Sequence, residues 1–159
     1  MKNTVLAYLA GVMDSDGTIG IKKSTYSMRV TKDSSQPSYS ERLSLRQVEP
    51  QAVDLFRDLF GGSRYMTKPS ARRGKMLHTW AATDLRAAAA LRAIRPYLRI
   101  KAPQADNAMS LRVVKERSKR ARVARGRGHV GSARRLQALS DSMEEHYQRA
   151  KWLNRVGVG

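Results

Sequence analysis

The first 17 residues constrain the fold more than any other part of the chain. Thr4–Met13 reads as a helix, opened by a residue type that can cap it. Leu6, Leu9 and Met13 form an apolar stripe at helical spacing. Ala7, Ala10, Gly11 and Asp14 form a second stripe at i, i+3, i+4, i+7. That second stripe is small and smooth, so another helix could approach it almost backbone to backbone. A helix with two buryable faces needs two partners, one of them very close. The small stripe occurs once in the chain, so its partner would be a second molecule, and a two-fold symmetric pair is the common arrangement. The helix is expected to end at Asp14. Asp16 would then be delivered at the bottom of the interface, close to its symmetry mate.

The rest of the chain alternates strands and helices. Gly17 to about Thr31 reads as a strand, with Ile19 and Ile21 on one side and Thr18, Gly20, Lys22 and Ser24 on the other. Lys32 to Tyr39 is a Ser-rich turn region containing Pro37. Arg42–Val48 is a second strand, Leu43 and Leu45 alternating with Arg42, Ser44 and Arg46. Pro50 opens a helix whose apolar face is Val53, Phe56, Leu59 and Phe60, and Gly61-Gly62 close it. Two more strands follow, Ser63–Lys68 and Lys75–Ala82, joined by a basic loop. Thr83 is placed to cap a helix carrying Leu85, Ala88, Leu91, Ile94 and Leu98. Pro103 then starts a helix from about Ala102 to Glu116. The fold class is α+β, in the order helix, two strands, helix, two strands, helix, then a helical tail. A core over residues 1–116 and a basic extension over 117–159 with an amphipathic C-terminal helix are expected.

Charge points to the partner. The 159 residues hold 31 Lys and Arg against 13 Asp and Glu, a net +18. A protein acting on small neutral substrates does not need this excess, whereas a nucleic-acid partner does, because each neutralised phosphate releases counterions. Arg112–Arg135 alone holds ten basic residues and one acid, Glu116. The part around Arg125-Gly126-Arg127-Gly128 is expected to stay loose until something binds, and to contact phosphates flanking the region the sheet reads. There is no Cys, so disulfides and Cys metal sites are excluded, and His78, His129 and His146 have no metal-ligand spacing. Val5–Met13 is too short for a membrane span, and Asp14 and Asp16 stand where a signal-peptidase site would want small neutral residues. A soluble, intracellular protein of a DNA-containing compartment, not secreted, is expected.

Leu9-Ala10-Gly11-Val12-Met13-Asp14-Ser15-Asp16-Gly17 resembles the signature of the LAGLIDADG homing endonucleases, with apolar exchanges at Val12 and Met13 and a small residue at Ser15. The strand–strand–helix echo resembles that family too, as does Arg95-Pro96-Tyr97-Leu98-Arg99-Ile100-Lys101. The resemblance covers about residues 3 to 115 and implies a αββαββα core with a saddle-shaped antiparallel sheet. One copy of the signature implies the homodimeric type. It further implies a sequence-specific endonuclease that makes a double-strand break at a long, roughly palindromic DNA site and leaves short 3′ overhangs. An RNA-binding intron maturase, or a non-cleaving DNA-binding protein of the same fold, is the alternative.

The resemblance also assigns residues. Asp16, with the backbone carbonyl of Ser15, would bind Mg²⁺ or another divalent cation such as Mn²⁺ or Ca²⁺. Paired carboxylates suit such hard ions. Lys101 matches a lysine near the scissile phosphates, and Glu49 aligns with a position that often carries Gln or another polar residue near the catalytic waters. Ala7, Ala10, Gly11 and Asp14 would form the dimer interface. The outward strand residues would enter the DNA major groove: Lys22, Ser24, Tyr26, Arg42, Ser44, Arg46, Arg64, Lys68, Lys75 and Thr79, with Arg72 and Arg73 from the basic loop.

Overall fold

The computed structural model describes residues 3–24, 37–68, 74–126 and 132–156. Its elements are α1 (Asn3–Asp16), β1 (Gly17–Ser24), β2 (Ser38–Gln47), α2 (Gln51–Phe60), β3 (Ser63–Thr67), β4 (Leu77–Thr83), α3 (Asp84–Ile94), α4 (Ala102–Gly126) and α5 (Ser132–Arg155), with a 3₁₀ turn at Arg95–Tyr97. The order is the expected αββαββα with a helical extension. The four strands form one antiparallel sheet in the order β1-β2-β4-β3.

Alternation along the strands decides which face meets the helices. Ile19, Leu43, Leu45, Trp80 and Ala82 are buried and share one face by register: Ile19 lies opposite Leu43, Leu43 opposite Ala82, and Leu45 opposite Trp80. This inner face packs on Leu9 and Met13 of α1, Val53 and Phe56 of α2, and Leu91 and Ile94 of α3. Trp80 stacks on Phe56 with 4.6 Å between ring centroids and donates its indole N–H to the Gly61 carbonyl at 2.8 Å. That carbonyl is presented by a left-handed pair, Gly61 and Gly62, with φ of 67° and 105°. A Cβ on Gly62 would stand 2.6 Å from the Ala81 carbonyl oxygen, so only glycine fits there.

The alternation read from β1 and β2 holds. Four other expectations change. α1 continues to Asp16, and β1 follows it directly at Gly17, a junction that glycine permits because a Cβ there would collide with Met13. β2 starts at Ser38, as Tyr39 turns inward onto Leu111, Val114 and Met143. Thr83 stays extended as the last residue of β4 and makes no side-chain cap bond to α3. Of the stretch expected to be loose, Arg125 and Gly126 end α4, which also takes in the basic residues from Arg117 onward and buries Ser118 and Ala121. The tract from Arg127 to Gly131 lies outside the described residues.

α4 and α5 pack as an antiparallel hairpin against the β1 side of the sheet. Glu41, fully buried on the inner face of β2, draws Arg112 and Lys115 of α4 to it. Lys23 and Tyr39 both donate to Glu144 of α5. The Lys23 hydrogen bond is the chief cause that brings the Glu144 carboxyl down to about 2, with Tyr39 and Gln148 adding to it. Near its other end, Asn154 of α5 donates to the Ile19 carbonyl at 3.1 Å. Because β1 is at the margin of the sheet, α5 thereby covers an otherwise unpaired strand edge. No helix among the described residues is long and apolar enough to cross a membrane.

Candidate active site and nucleic-acid interface

Asp16 is the last residue of α1 and is exposed. It lies where β1 begins and β2 ends, and its Oδ2 accepts a hydrogen bond from Gln47 Nε2 at 3.0 Å. Gln47 closes the inner row of β2 after Leu43 and Leu45, so its period-two position aims it at the end of α1. Sequence reasoning missed it and pointed to Glu49 instead. Glu49 is exposed in the turn before α2, two residues beyond the strand. The signal that could have found Gln47 was the inward parity of β2, carried one step further.

Asp14 does not belong to an open face. It is 9% exposed, and its carboxylate accepts the backbone N–H groups of Arg99 at 2.7 Å and Lys101 at 2.8 Å. This ties α1 to the loop that opens α4, in agreement with a capping role. The side chain of Lys101 returns the bond. Its ammonium donates to the carbonyls of Met13, Asp14 and Ser15 at 2.9, 2.6 and 3.3 Å. Burial pushes the Lys101 pKa down, while Asp14 and Asp16 pull it partly back up. Asp14→Ala would leave two backbone donors unanswered, each at about 1–3 kcal/mol. The unfolding midpoint should therefore fall by about 5–15 °C, with Asp14→Asn intermediate. A calorimetric scan in which Asp14→Ala melts with the wild type would contradict the staple.

The other small residues of α1 divide between two sides. Ala10 is fully buried in the chain's own core, contrary to the expectation that it lines an interface. Ala7 and Gly11 are exposed, together with Thr4, Tyr8 and Ser15. A Cβ on Gly11 would meet nothing within 4 Å. α1 thus has an open face, small at Ala7, Gly11 and Ser15 and carrying the Tyr8 ring, that ends beside Asp16.

In kind, the oxygens at this end suit a hard divalent cation: the exposed Asp16 carboxylate and the Ser15 carbonyl. The carbonyls at the end of α1 already gather one cation, the Lys101 ammonium. Among the described residues no group of three or more His, Cys, Asp or Glu comes together.

The outer face of the sheet carries Thr18, Lys22 and Ser24 from β1, Ser38, Ser40, Arg42, Ser44 and Arg46 from β2, Tyr65 and Thr67 from β3, and Thr79 from β4. Glu41 is the single carboxylate of the four strands and points to the other face. Of the sequence-predicted residues, Lys22, Ser24, Arg42, Ser44 and Arg46 stand on this outer face. Thr79 does too, but it is fully buried among its neighbours and bonded to Thr67 Oγ1 at 2.7 Å. Arg64 falls on the inner side, where it donates to Asp54 at 2.6 Å and pairs with His78 at 3.1 Å. Lys68 and Lys75 are exposed beyond the ends of β3 and β4. Tyr26, Arg72 and Arg73 lie outside the described residues. Two residues not foreseen are Lys151 and Arg155 of α5. With Thr18, Gly20, Arg42 and Ser44 they line a groove of about 450 Å³ along β1.

No protein-family model matches the chain, and no curated protein matches it. Solved structures do. The chain aligns with the homing endonuclease I-CvuI, in a complex with the I-CreI target in 2 mM Mg, at a TM-score of 0.57 and 15% identity, covering 94% of this chain and 96% of that one. It aligns with the archaeal intron-encoded homing endonuclease I-Vdi141I, complexed with DNA, at 0.50 and 10% identity, covering 92% and 86%. With the DNA-bound meganuclease I-SmaMI the score is 0.51 at 14% identity, covering 87% of this chain and 44% of that one.

Proposed function

From the LAGLIDADG homing-endonuclease fold that this chain has, we propose that it is a sequence-specific DNA endonuclease acting as a homodimer. The observation that carries the reading is a conjunction. Asp16 and Gln47 meet at the end of an open helix face that is bare at Gly11. Beside them lies a strand face with basic and hydroxyl side chains and no carboxylate.

Two copies joined through the open face of α1 would bring two Asp16 carboxylates together at the two-fold axis. Asp16 and the Ser15 carbonyl would hold a divalent cation there, with their mates from the second copy. When bound, such an ion supplies a Lewis acid and lowers the pKa of coordinated water. Gln47 holds the Asp16 carboxylate in one orientation. Lys101 keeps the end of α1 closed and adds positive charge near the place where a phosphate would come. Lys22, Arg42 and Arg46 would enter the major groove, where alternate strand side chains reach base edges. Two-fold pairing makes the target roughly palindromic.

The test is a supercoiled plasmid library with randomised inserts, incubated with Mg²⁺ and sequenced at the ends of linear product. Cleavage at a related set of near-palindromic sites, leaving short 3′ overhangs, is expected. Retention of a defined DNA site without linear product would mean a non-cleaving binder. Absence of any DNA preference together with selective RNA retention would favour a maturase.

The α5 cations flank the groove without standing on the strands, so they would touch phosphates and add affinity without base information. Lys151→Gln/Arg155→Gln should flatten the dependence of log K on log salt by roughly 1.8, about 0.9 for each lost contact. The preferred target should not change. An unaltered slope would put α5 outside the interface.

A further inference from the structure

The C-terminal end of a helix leaves carbonyls without intrahelical partners and carries partial negative charge. Most such ends are answered by water or by a left-handed glycine. α1 ends on a lysine from 85 or more residues downstream, Lys101, whose three N–H donors match the three carbonyls of Met13, Asp14 and Ser15. The ammonium is held there from both sides, because the Asp14 carboxylate fixes the backbone from which Lys101 reaches. Among the described residues Lys101 forms no ion pair with Asp16, so its charge is directed at the helix end itself.

One of those three carbonyls has a second claim on it. On the reading of Asp16 and Ser15 as metal donors given above, the Ser15 carbonyl is wanted by both the ammonium and the divalent cation. Two cations sharing one carbonyl repel each other. The three distances rank the contacts: those to Asp14 and Met13, at 2.6 and 2.9 Å, are short, and that to Ser15, at 3.3 Å, is the longest.

We propose that Lys101 is the resident cation of the α1 terminus, and that divalent-cation loading is an exchange in which the ammonium gives up the Ser15 carbonyl and keeps those of Met13 and Asp14. Two consequences follow from this exchange. Without metal, Lys101 stabilises the chain by closing α1. With metal, it lowers the affinity, because part of its own bonding must be surrendered.

The experiment measures Mn²⁺ binding to the full chain by the electron paramagnetic resonance signal of free Mn²⁺, with and without a short duplex, alongside thermal unfolding. Lys101→Met should melt about 5 °C below the wild type without metal. It should bind Mn²⁺ about tenfold tighter, the scale of one charge-assisted hydrogen bond, and saturating Mn²⁺ should narrow the difference in melting. If Lys101→Met does not fold, Lys101→Gln, which keeps two donors without the charge, should show the same tightening. Lys101→Arg should stay near the wild-type affinity. Equal or weaker Mn²⁺ binding by the neutral variants overturns the exchange, as does tighter binding with no loss of metal-free stability, which would reflect bare charge repulsion. Failure of wild type and variants alike to bind Mn²⁺ at millimolar concentration overturns the metal reading of Asp16 and Ser15, and the exchange with it.

Discussion

Asp16→Asn should abolish cleavage and spare DNA binding. The substitution keeps the size of the side chain, and the amide can still meet Gln47, so the end of α1 and the start of β1 have no reason to move. What disappears is the negative charge that would hold a divalent ion. Metal-based stabilisation of a phosphodiester transition state is worth several kcal/mol, which corresponds to a rate loss on the order of 10³-fold or more. Affinity for the target should stay within a few-fold or tighten, since a carboxylate near phosphates repels them. Single-turnover cleavage and gel-shift titration on one target site separate the two effects. Substantial Mg²⁺-dependent cleavage by Asp16→Asn would remove Asp16 from the reaction.

Gly11→Leu should separate assembly from folding. Within one chain a Cβ at Gly11 meets nothing within 4 Å, and leucine is a better helix former than glycine, so the monomer should fold and melt at or above the wild type. At a close helix–helix contact the same side chain has no room. Overpacking commonly costs about 1–3 kcal/mol, and a symmetric pair meets it twice, so dimer dissociation should rise by about 10²-fold or more. Cleavage should fall with it. Sedimentation equilibrium with and without DNA reads the first effect and plasmid linearisation the second. A wild-type chain that remains monomeric at micromolar concentration, even on DNA, would rule out the arrangement.

What the amino-acid pattern made legible is what periodicity can carry. β2 alternates Leu43 and Leu45 with Arg42, Ser44 and Arg46, and the period of two is strict enough to fix both faces. β3 is not so clear. Ser63-Arg64-Tyr65-Met66-Thr67 puts two large apolar residues side by side, and the face was settled by a tertiary contact, the placement of Arg64 opposite Trp80. Ala10 and Gly11 are both small, and composition does not distinguish them. The helical turn of about 100° per residue does, because it carries Ala10 toward Leu6 and Met13 and leaves Gly11 with Ala7 and Ser15. The length of α4 was obscured by charge. Arg, Lys and Ala favour helix, and Val114, Ser118 and Ala121, at i, i+4, i+7, mark a seam that becomes buried. The position hardest to foresee, Gln47 beside Asp16, depends on elements that meet only after the whole core has formed, and Lys101 was legible only through the motif resemblance.

On the proposed pairing, a second copy of this chain would attach through the open face of α1, and the margin of β1 is a competing place for it. Of these two, attachment through α1 is the one that would bring Asp16 to a two-fold axis. A bare β1 margin would invite strand-to-strand continuation, which has no natural end and competes for the same molecules. Asn154 on the Ile19 carbonyl stands in that route, and Glu144, held by Lys23 and Tyr39 on the inner face, anchors the helix that carries it. The C-terminal helix therefore bears on assembly as well as folding, by covering the β1 side of the sheet. Shortened before α5, the chain should be lost to open-ended polymer rather than recovered as a weaker dimer.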